Sequence, residues 1–365
     1  MKTHHACLAA LSMLPALASA QGSGVTLYGV VDDGIEYINH LPRAGNSSAA
    51  VLRMSAGNLS TSRWGLRGRE DLGDGLAAVF LLENGFDSDT GNANQGGRLF
   101  GRQAYVGLQQ RYGTLSLGRH QNLVYDFSNA FDPMAIATRY SLLMHDRWMS
   151  SRSDNSAKFF GQTGGIYYGL LYSTGYDSSA GGEIPGDYKA GREMSAAIGY
   201  ASGPLALRVV YDDLHGSTRA TDDNRERRAA IAGTYTFGPA KAFIGYRWYY
   251  GDFTTSTLRT NLYWAGMQYQ LTPVISVTGA AYYTDVRNSG GDPYSFVLSG
   301  SYAFSKRTDV YTVLGFTRNR EGSNLSLTGF GPSLNPAATT LVNTSEQVAA
   351  GQNQFGAVIG IRHRF

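Results

Sequence analysis

The chain closes on Phe355-Gly-Ala-Val-Ile-Gly-Ile-Arg-His-Arg-Phe365. Successive side chains of a strand point to opposite faces. Phe355, Ala357, Ile359, Ile361 and Phe365 therefore share one face, and Gly356, Gly360, Arg362 and Arg364 share the other. His363 interrupts the apolar face only near its end. A soluble sheet shows the same alternation. An aromatic carboxyl terminus that completes the strand is more specific.

The other end reads Met1-Lys2-Thr3-His4-His5, then an apolar run from Ala6 to Leu17, then Ala18-Ser19-Ala20. A basic start, a short apolar stretch and small residues at a cleavage position predict an export signal over 1–20. The run is too short to span a bilayer as a helix. The mature chain is then expected to begin at Gln21 and to form one domain over 21–365. The alternative is an apolar first helix of a cytosolic domain.

Cys7 is the only cysteine and lies in that signal. Intrachain disulfides, thiolate chemistry and cysteine metal sites are thereby excluded from the mature chain. Removing Lys2 from the 31 Lys and Arg leaves 30 against 28 Asp and Glu. So even a balance gives no reason to expect a nucleic-acid partner.

No later run is long enough for a membrane helix. A barrel hides its apolar surface in alternate positions, so this does not argue against a membrane. The 46 Gly, 24 Tyr and 16 Phe, with only 10 Pro, fit strands carrying interfacial rings. A soluble β-sandwich or propeller would share the tyrosine content.

The pattern predicts an all-β, antiparallel up-and-down barrel of about 16 strands. The first strands are expected near 25–39, 63–72 and 76–87. Short turns are expected at 73–75, 111–113, 163–165, 202–204, 238–240, 272–273 and 306–307, where Gly, Pro or polar residues cluster. Longer connections are expected near 40–60, 88–98, 122–152, 177–190, 213–225, 251–258, 286–293 and 319–351. Strict alternation of short and long connections is the habit of a transmembrane barrel. Both termini lie on the short-turn side and are expected in the periplasm. Parity is cleanest from Tyr294 to Phe304, where Tyr294, Phe296, Leu298, Tyr302 and Phe304 alternate with Ser295, Ser299 and Ser301. Asp33 falls on the nominally outward side of the first strand.

Several stretches in order carry a resemblance. They are Val25-Thr-Leu-Tyr-Gly-Val-Val-Asp32, Ser62-Arg-Trp-Gly-Leu-Arg-Gly-Arg-Glu-Asp-Leu-Gly73, Leu82-Glu-Asn-Gly-Phe86, Leu99-Phe-Gly-Arg-Gln-Ala-Tyr-Val-Gly-Leu108, Gly113-Thr-Leu-Ser-Leu-Gly-Arg119 and the Phe365 end. With them the chain resembles the trimeric general-diffusion porins of Gram-negative bacteria, of the β-proteobacterial type. From about residue 170 the likeness rests on strand pattern and length. The resemblance implies a 16-stranded barrel in the outer membrane, three per functional unit, with the third extracellular loop folded into the lumen. Here that loop is about 121–152. Its tip reads Asp132-Pro133-Met134, where the family often has a Pro-Glu-Phe-like turn.

Selectivity in such a channel comes from side chains ringing a constriction. The basic half is expected from the wall: Arg63, Arg67 and Arg102, with Arg152 just after the loop. Arg102 is expected to point inward because it is opposite in parity to Tyr105. The alternative is that these arginines line a wide lumen away from the waist. The acidic half is expected from Asp126 and Asp132 on the loop, with Glu83 on the wall. The alternatives are turn capping for the aspartates and loop tethering for Glu83. Phe365 is the expected assembly signal.

No metal site, cofactor or enzyme motif emerges. His40, His120, His145 and His215 lack ligand spacing, and there is no G-x-S-x-G or phosphate loop. The function expected is passive diffusion of ions and small hydrophilic solutes through a water-filled channel. A substrate-selective channel for an organic anion or sugar is the second reading, and an adhesive or structural barrel the third. Expected partners are two further copies of the chain, outer-membrane lipid and lipopolysaccharide, and the barrel-assembly machinery.

Overall fold

The computed structural model describes residues 24–43, 47–287, 291–320, 322–327 and 348–365. The expected export signal and most of the last long connection lie outside them. The strands are β1 (Gly24–Arg43), β2 (Ser47–Ala56), β3 (Arg63–Gly73), β4 (Leu76–Gly85), β5 (Gln103–Gln110), β6 (Gly113–Gln121), β7 (Arg152–Thr163), β8 (Ile166–Ser173), β9 (Glu193–Ser202), β10 (Leu205–His215), β11 (Arg225–Phe237), β12 (Ala240–Phe253), β13 (Ser256–Thr272), β14 (Ile275–Val286), β15 (Tyr294–Ala303), β16 (Thr308–Arg318) and β17 (Gln354–Arg364).

Every neighbour pairs antiparallel, and β1 pairs with β17 from Val30↔Arg364 to Ile38↔Gly356. That pairing closes the sheet on itself and removes its edges. One side of β1 is shared: its first part pairs with β3 and its later part with β2. β2 and β3 are thus two halves of one stave interrupted at 57–62, which gives a closed 16-strand barrel.

The predicted parity is what orients the wall. In β15, Phe296 and Leu298 are exposed outward while Ser295, Val297 and Ser299 are buried inward. In β17, Phe355, Ile359 and Ile361 face out, and Phe365 continues the face. Phe365 donates its N–H to the Gly29 carbonyl (3.1 Å) and accepts from the Gly29 N–H (3.0 Å). Its ring lies across Gly29, where any Cβ would collide with it. Gly24 and Phe365 both lie at the short-turn end of the barrel.

Two expected long connections are shorter than the sequence suggests. β12 runs through Gly251 to Phe253 and turns at 254–255, so 251–258 is a tight hairpin. Gly251 resembles a turn residue but sits under the rings of Tyr249 and Phe253. Much of 40–60 is likewise strand, because β1 extends to Arg43 and β2 returns along it.

Candidate functional site: the narrowed lumen

The core of this molecule lies inside the barrel. Residues 122–151 fold inward between β6 and β7, and their apolar side chains pack on inward-facing wall residues such as Leu171, Val210, Trp264 and Val313. The segment opens with helix α1 (Leu123–Phe131), capped by Asn122 Oδ1 accepting from the Tyr125 N–H (2.8 Å). Leu123, Val124, Phe127 and Phe131 are buried, whereas Tyr125, Asp126, Asn129 and Ala130 keep partial exposure. The helix therefore turns one apolar stripe to the wall and one polar stripe to water.

After α1 the chain is pinned at Asp132. Its carboxylate accepts from the N–H groups of Met134 (3.2 Å) and Ile136 (2.8 Å) and from Tyr282 Oη (2.6 Å). Ala135, Ile136 and Tyr140 adopt positive φ, a conformation that costs non-glycine residues energy. The Asp132 cage holds this turn in place. Asp132 is 1% exposed, so it presents no charge to the water path. Burial pushes its pKa up to about 6, against the hydrogen bonds that lower it.

Further anchors follow around the wall. Tyr140 Oη donates to Glu36 (2.8 Å), and its ring lies against Gly315 and Gly356, where any Cβ would collide. His145 bonds Thr284 and Ser295, both at 2.8 Å, and burial followed by the Arg247 charge pushes its pKa down to about 3. Asp146 lies 3.2 Å from Nε of Arg228 and 3.2 Å from Nε of Arg247, all three buried. Burial raises the Asp146 pKa, but the two guanidinium groups outweigh it and hold the carboxyl below its ordinary range. Trp148 Nε1 donates to Asp212 (2.8 Å).

The wall from β3 to β7 stays largely bare, and the arginines are there. Arg63, Arg67 and Arg69 share the inward parity of Tyr28 and Glu83. Arg67 is exposed, 5.3 Å from the Tyr28 ring centroid. Arg102 Nε donates to Glu83 Oε1 (2.7 Å), Tyr28 Oη donates to Glu83 Oε2 (2.9 Å), and Arg63 Nε lies 3.6 Å from the same carboxylate. Arg102 also donates to Tyr125 Oη (3.3 Å), and Arg152 stacks 5.3 Å from the Tyr125 ring. Tyr125 is thus the contact between α1 and the arginines of this wall. At the other margin, Thr138 on the loop bonds Thr61 (2.8 Å).

Arg102 points inward for a different reason from parity. Tyr105 is itself inward, its ring stacked on buried His120. β5 starts only at Gln103, and the bend before it redirects Arg102. Asp126 is part-exposed and paired with Lys158 Nζ (2.6 Å). The sequence reading missed Lys158, Arg208, Arg228 and Arg247. Each lies opposite in parity to outward Leu207, Val209, Ile231 or Ile244, or to its own strand's outward set, so the period-two signal was available.

A closed barrel with a long loop folded across its interior, leaving a charged gap at one wall, defines a membrane diffusion channel. The Gram-negative porin family model matches residues 7–322, and the chain belongs to that family. It is 31% identical over 364 residues to an outer membrane porin protein of Bordetella pertussis, covering 86% of this chain and 94% of that one. It is 28% identical over 370 residues to outer membrane porin protein 32 of Delftia acidovorans, covering 98% and 99%. Its fold matches the anion-selective porin from Comamonas acidovorans with a TM-score of 0.79 at 26% identity, covering 94% and 100%. The protein is an outer-membrane porin that forms a water-filled channel.

Proposed function

We propose that this channel prefers anions and that Arg63, Arg67, Arg102 and Arg152 set the preference. One observation carries the reading: these arginines and Arg69 converge on the bare wall, where Glu83 is their only close carboxylate among the described residues. Nε of Arg69 and Nε of Arg152 have no hydrogen-bond acceptor there. A surplus of guanidinium in a narrow, low-dielectric passage raises the local anion concentration. The name of the Comamonas acidovorans relative agrees. Asp126 supplies the acidic rim, paired with Lys158, whereas Asp132 acts as the loop's internal anchor. The same donors favour organic anions over sugars as any preferred solute, because a guanidinium fork matches a carboxylate.

Transport of this kind needs no catalytic step, cofactor or metal. A homotrimer is supported by Asp33. It sits on the outward face of β1, and its Oδ1 is buried without a partner among the described residues. Against lipid that placement is costly; a second copy covering the face relieves it. Outer-membrane lipid, lipopolysaccharide and the assembly machinery complete the partners, and the short-turn end with both termini is assigned to the periplasm. Phe365 is assigned as the assembly signal, and its deletion is expected to lower inserted, heat-modifiable protein far more than synthesis.

Reversal potential in a salt gradient tests the selectivity. The wild type is expected to favour anions, and neutralising Arg63 and Arg67 together to shift the potential toward cations. The shift is expected to shrink at high salt. A cation-selective wild type would overturn the proposal.

A further inference from the structure

Arg67, Tyr28, Glu83, Arg102, Tyr125 and Arg152 form one chain of contacts across the bare wall. Arg67 lies over the Tyr28 ring, and Tyr28 Oη donates to Glu83. Glu83 accepts from Arg102, and Arg102 donates to Tyr125 Oη. Arg152 lies over the Tyr125 ring. The chain therefore reads guanidinium, ring, carboxylate, guanidinium, ring, guanidinium, and it joins the wall to α1.

Both phenol hydroxyls are used within this chain. Both tyrosines nevertheless remain part-exposed, so what they leave toward the passage is ring carbon. Carbon surface held open to water is unfavourable until something apolar covers it. Glu83, the one carboxylate of the chain, is engaged by Arg102 and Tyr28, with Arg63 at 3.6 Å, so its charge is compensated. Arg67 is exposed and forms no ion pair among the described residues.

An arginine over a ring is not by itself a site. On the covered side Arg228 lies 4.6 Å from the Tyr249 centroid, and that pair is sealed, at 4% and 0% exposure. Exposure to the water path is what distinguishes Arg67, Tyr28 and Tyr125. A carboxylate matches a guanidinium fork. An aromatic ring attracts a guanidinium through its electron-rich face and packs edge-on or offset against tyrosine. A solute that carries both groups satisfies both kinds of partner at once; an aliphatic acid satisfies only the first.

We infer that the passage holds a subsite for aromatic carboxylates. The carboxylate takes Arg67, and Tyr28 and Tyr125 offer the ring a carbon surface at successive steps of the passage. The inference rests on the anion reading above and names the solute class within it.

The test uses the full mature protein in a planar bilayer carrying chloride current at neutral pH, where the added acids are ionised. Benzoate is compared with cyclohexanecarboxylate, which has the same charge and a similar size but no π face. In the wild type, benzoate is expected to block the current at a concentration at least about threefold lower. Tyr28→Leu/Tyr125→Leu is expected to bring the ratio to about one. Tyr125→Phe, which keeps the ring and loses only the hydroxyl, is expected to retain the preference. Heat-modifiable mobility reports that each variant is folded. Equal block by the two acids in the wild type overturns the proposal, as does stronger block by cyclohexanecarboxylate, the result expected of a merely greasy surface. An unchanged ratio in the folded double variant overturns it too. The reversal potential in a chloride salt gradient separates the two readings: an anion-selective wild type that does not distinguish the acids loses only the aromatic subsite, whereas a cation-selective one overturns both.

Discussion

The two sides of the lumen use charge in opposite ways. Behind the inserted loop, Arg228 and Arg247 are dry, out of reach of solute, and compensated by Asp146 together with Glu226, which lies 3.0 Å from Arg228. On the bare side, Arg67 is exposed to water with the Tyr28 ring beside it and forms no ion pair among the described residues. The first arrangement holds a loop in place; the second is the one we propose to act on passing ions. The difference lies in what covers the wall, since the same residue type occupies inward positions on both sides. An arginine count alone would therefore say little about selectivity.

The largest effect expected comes from breaking the covered side. Asp146→Ala leaves buried Arg247 without its counter-charge and Arg228 with Glu226 at 3.0 Å, a loss of about 3–5 kcal/mol. The loop is expected to detach from β11 and β12, giving noisier and larger single-channel currents and a lower unfolding temperature. Asp126→Ala removes only a part-exposed partner of Lys158 and is expected to cost about 1 kcal/mol or less. Equal thermal stability of the two variants would erase the distinction between the two sides.

The wall was legible in the sequence and the loop largely was not. Period-two alternation is local, so β15 and β17 could be oriented from their own residues. The anchors are not local. Tyr282, which bonds Asp132, is 150 residues away in sequence, and Thr284 and Ser295, which hold His145, are similarly distant. A loop aspartate that caps a strained turn reads the same as one that faces a pore. Arg102 shows the limit of parity itself, because the period restarts wherever a bend precedes the strand.

A smaller effect concerns acid. His145 is held neutral by burial, with its pKa moved from the ordinary 6.5 to about 3. When the loop is undocked it binds a proton that the docked form refuses. Its contribution is therefore complete above pH 6.5 and is lost as pH falls toward 3, by up to about 1.4 kcal/mol per unit. Asp132 runs the other way. Its pKa rises from 3.8 to about 6, so its contribution is present below 3.8 and lost as pH rises through 6. Between about pH 4 and 6 the two slopes oppose each other. His145→Gln is expected to make the protein more stable toward acid than wild type over that window, and Asp132→Asn less stable. Unfolding temperatures at pH 4.5, 5.5 and 7 check this; parallel curves for all three proteins would remove these two groups as the cause.

The smallest effect separates two arginines on the bare side itself. Arg102 is 4% exposed and supplies the closest contact to Glu83. Its replacement by Gln leaves that carboxylate with Tyr28 and the more distant Arg63, so a stability cost of about 1–3 kcal/mol is expected. Arg67 has no such obligation, and Arg67→Gln is expected to leave the unfolding temperature within error. Its field is what changes. A unit charge about 6 Å from an ion in water is worth roughly 0.7 kcal/mol, about threefold in local ion concentration. The reversal potential of Arg67→Gln is therefore expected to move toward cations at low salt and to return to wild type near 1 M, where screening reaches about 3 Å. If Arg67→Gln lost stability and kept its selectivity, Arg67 would belong with Asp146 among the residues that hold the structure, and the bare wall would not be the selective one.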